Sequence, residues 1–232
     1  KEVWKREPPF YVQYDFVIAK GLGAKLSSSS GNLITLEEAL SIYEPSVLRW
    51  IFASRKPNTD FSIAFDLDVL KAYDDFDRTS RIALKLEEAE EKKYVYEKRI
   101  YELSKTAEYP GEGMLEQFPF RHLCNLLQIY QGDFDKTFES YGLKSASAQD
   151  KLRFQRRSQC AWNWIQNHAP AEFQFKIRTA QDPKPTSQFP DAIRALADLI
   201  TETDFAKQTE ESFHSEIYQM IKKNNWQPKN IF

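Results

Sequence analysis

Lys25-Leu26-Ser27-Ser28-Ser29-Ser30-Gly31-Asn32 is the stretch from which the rest of the chain can be read. Four consecutive serines follow one lysine, and three of the chain's seven glycines (Gly21, Gly23, Gly31) fall within eleven residues around them. So little side-chain bulk lets backbone N–H groups and hydroxyls come close to a bound group, and Lys25 adds a point charge. Together these are equipment for holding phosphate. The order is not the G-x-x-x-x-G-K-[ST] of a P-loop. A flexible Gly/Ser surface loop has the same composition, so the flanks must decide.

Upstream, Tyr11-Val12-Gln13-Tyr14-Asp15-Phe16-Val17-Ile18 is rich in β-branched and aromatic residues and predicts a strand. Downstream, Thr35 is a good N-cap with Glu38 three residues on, a capping box that opens a helix through Ile42. Pro45 stands where a second helix starts, and Val47, Leu48, Ile51 and Phe52 give that helix an apolar face. The order strand, phosphate-competent loop and two short helices, with the string from Gly31-Asn32-Leu33-Ile34 through Leu48-Arg49-Trp50, resembles the KMSKS loop and following segment of class I aminoacyl-tRNA synthetases.

The serine run narrows the resemblance to the class I lysyl-tRNA synthetases, where the loop usually reads K-M-S-S-S-K-G-N. Arg55-Lys56-Pro57-Asn58, Asp60-Phe61 and Tyr73-Asp74-Asp75-Phe76-Asp77-Arg78 look like the same family. So do Ala161-Trp162 and Ala169-Pro170-Ala171-Glu172-Phe173-Gln174-Phe175, which extends the likeness from about Tyr11 to at least Phe175. Two departures matter. Ser28 and Ser30 stand where the general and lysyl patterns have a second lysine, leaving Lys25 as the loop's one cation. Nothing reads as the HIGH motif, because His122, His168 and His214 all come long after the loop. The resemblance therefore implies a C-terminal part of such an enzyme.

Composition sets looser bounds. The chain has 232 residues, 41% of them hydrophobic, and a net charge of −2. It can form a core, and any RNA contact must come from a local patch. No signal peptide and no run of eighteen apolar residues is present, so a cytoplasmic protein without membrane contact is expected. Cys124 and Cys160 have no clustered partners and read as buried free thiols; no metal site is expected.

Beyond residue 65 the pattern is helical. Residues 66–105 contain no Gly or Pro, and Val69, Tyr73, Phe76 and Ala83 fall at helical offsets. Glu88 and Lys92 are spaced to pair on a charged helical face. Pro110-Gly111-Glu112-Gly113 marks a junction. Helices are then predicted over 119–131 (ended by Gly132), 133–141 (ended by Gly142), 147–168, 191–200 and 209–224, with one weak strand pattern at 173–177. The expected fold is mainly α: a short α/β remnant of a class I catalytic region over 1–65, a connecting long helix or helical hairpin over 66–110, and an α-helical domain over 111–232.

Between Lys151 and Lys184 seven basic residues face only Glu172 and Asp182, and Arg153, Arg157 and Trp164 share one side of a helix. Guanidinium planes and an indole suit single-stranded RNA, whereas a tryptophan on an amphipathic helix also suits a core. The resemblance adds the rest. It implies a helical anticodon-binding domain, with Arg153, Arg156, Arg157 and Trp164 as candidate contacts to tRNA(Lys). It also implies ATP with Mg2+ and lysine as substrates, Lys25 as the catalytic cation, Ser27, Ser28 and Ser29 as further ATP-binding groups, and Gly21, Gly23 and Gly31 as hinges. A monomer is expected, inactive without the HIGH-bearing half. The alternatives are a free-standing helical RNA-binding or interaction module with a vestigial loop, or a glutamyl, glutaminyl or cysteinyl class I enzyme.

Overall fold

The computed structural model describes residues 17–20, 35–56, 58–106, 118–142, 147–177 and 190–227. Two compact units divide between Ile177 and Arg178. The breaks expected at 65/66 and 110/111 are not boundaries between units, because one apolar cluster runs from Ala39 through Phe76, Phe120 and Leu127 to Trp164 and Ala169.

The first unit begins with two four-residue strands, β1 (Val17–Lys20) and β2 (Phe61–Ala64), paired in parallel with Val17 opposite Phe61 and Lys20 opposite Ala64. Parallel neighbours need a crossover, and it contains α1 (Leu36–Ile42) and α2 (Pro45–Ala53). The capping box forms as the sequence predicts: Glu38 N–H donates to Thr35 Oγ1 at 3.1 Å, and Thr35 N–H donates to Glu38 Oε2 at 2.8 Å. Pro45 occupies the first turn of α2. Of the expected upstream strand, Val17 and Ile18 are described, and residues 11–16 lie outside the described ones.

Residues 66–105 resolve into the hairpin reading, α3 (Asp68–Ala83) and α4 (Glu91–Ser104), packed together. Lys85 breaks them apart at φ 60, and Leu86 N–H donates back to Arg81 O at 2.8 Å, a helix-ending turn made without glycine. Glu88 precedes α4, so its expected helical pairing with Lys92 does not arise. Trp50 locks α2 to this pair: its ring meets Phe76 edge-on, and its Nε1–H donates to Thr79 Oγ1, which donates to Glu97.

Next come α5 (Phe120–Ile129), α6 (Phe134–Ser140) and α7 (Ala148–Asn167). Asp133 caps α6, and Ser147 caps α7 with Asp150 completing a second box. The weak strand pattern at 173–177 forms no strand; it is turn and irregular chain, with Gln128 donating to Phe173 O and accepting from Phe175 N–H. Gly132 sits at φ 82, and a Cβ there meets the Trp162 ring at 2.8 Å. Strain and overpacking therefore act together in Gly132→Ala, which is expected to lose about 1–3 kcal/mol in urea unfolding. A change below about 0.5 kcal/mol would refute that packing.

The second unit contains α8 (Pro190–Glu202) and α9 (Glu210–Lys223), packed on each other with Ala192, Ile217 and Ile221 buried. Thr209 caps α9, and Phe205 meets Phe213 edge-on at 5.0 Å. Among the described residues no helix is long and apolar enough to cross a membrane.

Candidate phosphate-binding loop and the frame that carries it

The residues expected to hold phosphate (Lys25, Ser27, Ser28, Ser29) and the expected hinges (Gly21, Gly23, Gly31) lie outside the described residues. Both ends of the segment are described. β1 ends at Lys20, immediately before it, and Thr35 and α1 follow it. The two parallel strands end side by side at Lys20 and Ala64, and open α/β sheets bind ligands at such carboxyl ends.

The leaving end is held by backbone and charge. Phe65 N–H donates to Lys20 O at 2.8 Å. Lys20 Nζ donates to Asp68 and lies 3.6 Å from Asp66, at the start of α3. The Asp68 hydrogen bond chiefly, with Asp66 helping, raises the Lys20 ammonium above its usual range, so Lys20 stays charged. Asp66 Oδ1 also accepts from Asp68 N–H at 3.0 Å, fixing the turn into α3. Tyr43 Oη–H donates to Ala64 O at 2.8 Å and ties the crossover to the end of β2.

The helical candidates occupy the other side of this frame, and two are internal. Arg157 is 0% exposed. Its Nη1 and Nη2 donate to the two carboxylate oxygens of Asp77 at 2.8 and 2.9 Å, its Nε donates to Glu44, and Nη1 also donates to Phe118 O at 2.9 Å. Burial works against its charge, but Asp77 and Glu44 outweigh burial and hold the guanidinium far above its usual range. Tyr73 lies against the same group: its ring stacks on Phe120, and Arg157 sits 5.1 Å from its centroid.

Trp164 is equally buried. Its Nε1–H donates to Phe65 O at 2.9 Å, and its ring packs against Phe120 and Phe173. Arg157 and Trp164 therefore present no surface to RNA; their expected tRNA contact is replaced by a place in the core. Arg153 is 9% exposed, with Nη2 3.9 Å from Asp77. Arg156 is half-buried and donates to Leu40 O at 3.3 Å. The local basic excess is thus partly answered from distant elements rather than presented outward.

Sequence reading missed Glu44 and Asp77. A signal existed for the latter: Asp77 falls four residues after Tyr73 on the apolar side of α3, where a carboxylate needs a partner. Glu44 carries no such pattern. Cys124 and Cys160 are buried free thiols, as expected, and burial pushes the Cys160 thiol up to about 12.

Comparison with known proteins fits this frame. The family described as tRNA synthetases class I (K) matches residues 1–107. A lysine–tRNA ligase of Borreliella burgdorferi is 38% identical over 100% of this chain and 44% of its own length. That of Treponema pallidum is 40% identical over 97% of this chain and 42% of its own, and that of Pyrococcus furiosus 30% identical over 97% and 43%. The chain thus spans less than half the length of these curated relatives. With the parallel strand ends, the capped helix after the serine-rich segment and this match through the helical region, the chain belongs to the class I lysyl-tRNA synthetase family.

Proposed function

We propose that this chain is part of an enzyme that joins lysine to tRNA(Lys) with ATP, and that it supplies the phosphate-stabilising loop and the tRNA-binding helices. The observation that carries the reading is the likeness to lysine–tRNA ligases over 97–100% of the chain, through the helical region as well as the loop segment. That extent disfavours a free-standing module with a vestigial loop. It also disfavours the glutamyl, glutaminyl and cysteinyl enzymes.

In the proposed reaction the lysine carboxylate oxygen attacks the α-phosphorus of ATP. The bond to the bridging oxygen breaks, and pyrophosphate leaves. The lysyl group of the adenylate then passes to a 3′-terminal ribose hydroxyl of the tRNA, with AMP as leaving group. Charge grows on the α-phosphoryl oxygens and on pyrophosphate in the first step, so a cation placed for that arrangement lowers the barrier more than it strengthens ground-state binding. Lys25 is assigned that role, with Ser27, Ser28 and Ser29 as hydroxyl or N–H donors. Among the described residues no three His, Cys, Asp or Glu side chains come together to hold a metal ion, and Asp66 and Asp68 are engaged by Lys20. Mg2+ is assigned as the companion of the ATP phosphates.

Lysine-dependent ATP–pyrophosphate exchange by the full-length enzyme tests the reading. Lys25→Ala is expected to lower kcat about tenfold or more with KM for ATP little changed. Equal losses in both would reduce the segment to a binding loop, and absence of exchange in the unsubstituted enzyme would overturn the assignment. For the helices, a tRNA(Lys) transcript is expected to bind in a way that depends on its anticodon and survives a rise in salt. Binding that ignores the anticodon and collapses with salt would leave only phosphate attraction.

A further inference from the structure

α7 bonds through backbone carbonyls to α1, which follows the serine-rich segment, and to Phe65, which pairs with Lys20 before it. α1, which receives the chain after residue 34, has seven residues and cannot persist on its own propensity. Its last turn leaves carbonyls without helical partners. Three of these are met by side chains from elsewhere. Leu40 O accepts from Arg156 at 3.3 Å, Ser41 O from Asn163 Nδ2 at 3.0 Å and Ile42 O from Tyr73 Oη at 3.1 Å. The end that leaves β1 is reached by the next residue of α7: Trp164 donates to Phe65 O, and Phe65 N–H donates to Lys20 O. Adjacent residues Asn163 and Trp164 thus fix α1 on one side and Lys20 on the other. Arg157, about two turns earlier, anchors α7 itself to Glu44 and Asp77.

We propose that Asn163 and Trp164 are positioning residues for adenylation: through Ser41 O and Phe65 O they set the separation and orientation of Lys20 and α1, between which residues 21–34 run. This rests on the reading given under the proposed function. A helix that belongs to the tRNA-binding part of the chain thereby determines where the phosphate-handling segment starts and ends. A displacement of about 1 Å in groups that meet a transition state costs up to about a hundredfold in rate, whereas ground-state binding tolerates it better.

Asn163 is the sharper probe because it is half-buried and makes its cross-element bond through one amide hydrogen. Asn163→Leu removes that donor, and Trp164→Phe keeps an aromatic ring while removing the indole N–H. In lysine-dependent ATP–pyrophosphate exchange by the full-length enzyme, each is expected to lower kcat about tenfold with KM for ATP within about twofold. Adenylate burst amplitude normalises both for the folded fraction, so partial unfolding cannot imitate the effect. Exchange by the unsubstituted enzyme with unchanged burst-normalised kcat in both variants overturns the positioning role alone. A matching rise in KM for ATP with unaltered kcat also overturns it, since α7 would then shape only ground-state binding. No exchange in the unsubstituted enzyme overturns the ligase reading and this inference together.

Discussion

Arg157→Met is expected to cost about 3–5 kcal/mol of folding stability, measured as a fall in the urea midpoint at unchanged slope. The size follows from what the substitution leaves behind. Arg157 is fully buried and answers two carboxylates, Glu44 just before α2 and Asp77 on α3, whose side chains are 1% and 6% exposed. Methionine fills much of the volume but donates nothing, so Glu44, Asp77 and the Phe118 carbonyl lose the hydrogen bonds of Arg157 in a medium that rehydrates them poorly, with Arg153 still 3.9 Å from Asp77. The intact pair is a different quantity: desolvation offsets most of its Coulomb energy, so a matched apolar replacement of all three side chains can be nearly neutral. Arg157→Met combined with Glu44→Gln and Asp77→Asn is accordingly expected to recover part of the loss of the single substitution. A single substitution that costs less than about 1 kcal/mol would mean that water reaches the site, and that Arg157 is not the enclosed centre described above.

The same arginine shows why some of this molecule was legible in its sequence and some was not. Most signals whose partner lies within about one turn held, the pairing of Glu88 with Lys92 being an exception. Thr35 with Glu38, Pro45 at the start of α2, Ser147 with Asp150, and Gly132 and Gly142 as stops all sit where their residue types require. β2 escaped because four residues carry almost no pattern; its strand identity comes from pairing with β1 across residues 21–60. The position of the break between α3 and α4 escaped, though a hairpin was one of the two readings, because Lys85 takes a left-handed conformation with no glycine to announce it. For α7 the helical wheel was right about which residues share a face. It was silent on what that face meets, because Glu44 and Asp77 are 113 and 80 residues away in sequence. A row of arginines reads as a nucleic-acid surface until its counter-charges are located, and here they come from α3 and the residue before α2. The phosphate-binding candidates rest on sequence and family likeness, since Lys25 and its serines fall outside the described residues.

Trp164→Ala is expected to lose about 3–5 kcal/mol, and comparison with Trp164→Phe separates its two contributions. The ring is wholly enclosed, tilted against Phe120 and edge-on to Phe173, so alanine opens a cavity in the middle of the apolar cluster. Phenylalanine retains most of that contact but orphans Phe65 O, a buried acceptor, which costs about 1–3 kcal/mol. The ordering Ala worse than Phe, with both destabilised, is what a packed and hydrogen-bonded indole requires. A base-stacking indole gives the opposite pattern: Trp164→Ala leaves the urea midpoint in place and lowers affinity for the tRNA transcript by about 1–3 kcal/mol. The two outcomes cannot coexist for a side chain with no exposed surface. The stability result therefore decides whether the aromatic side of α7 belongs to the fold or to the RNA.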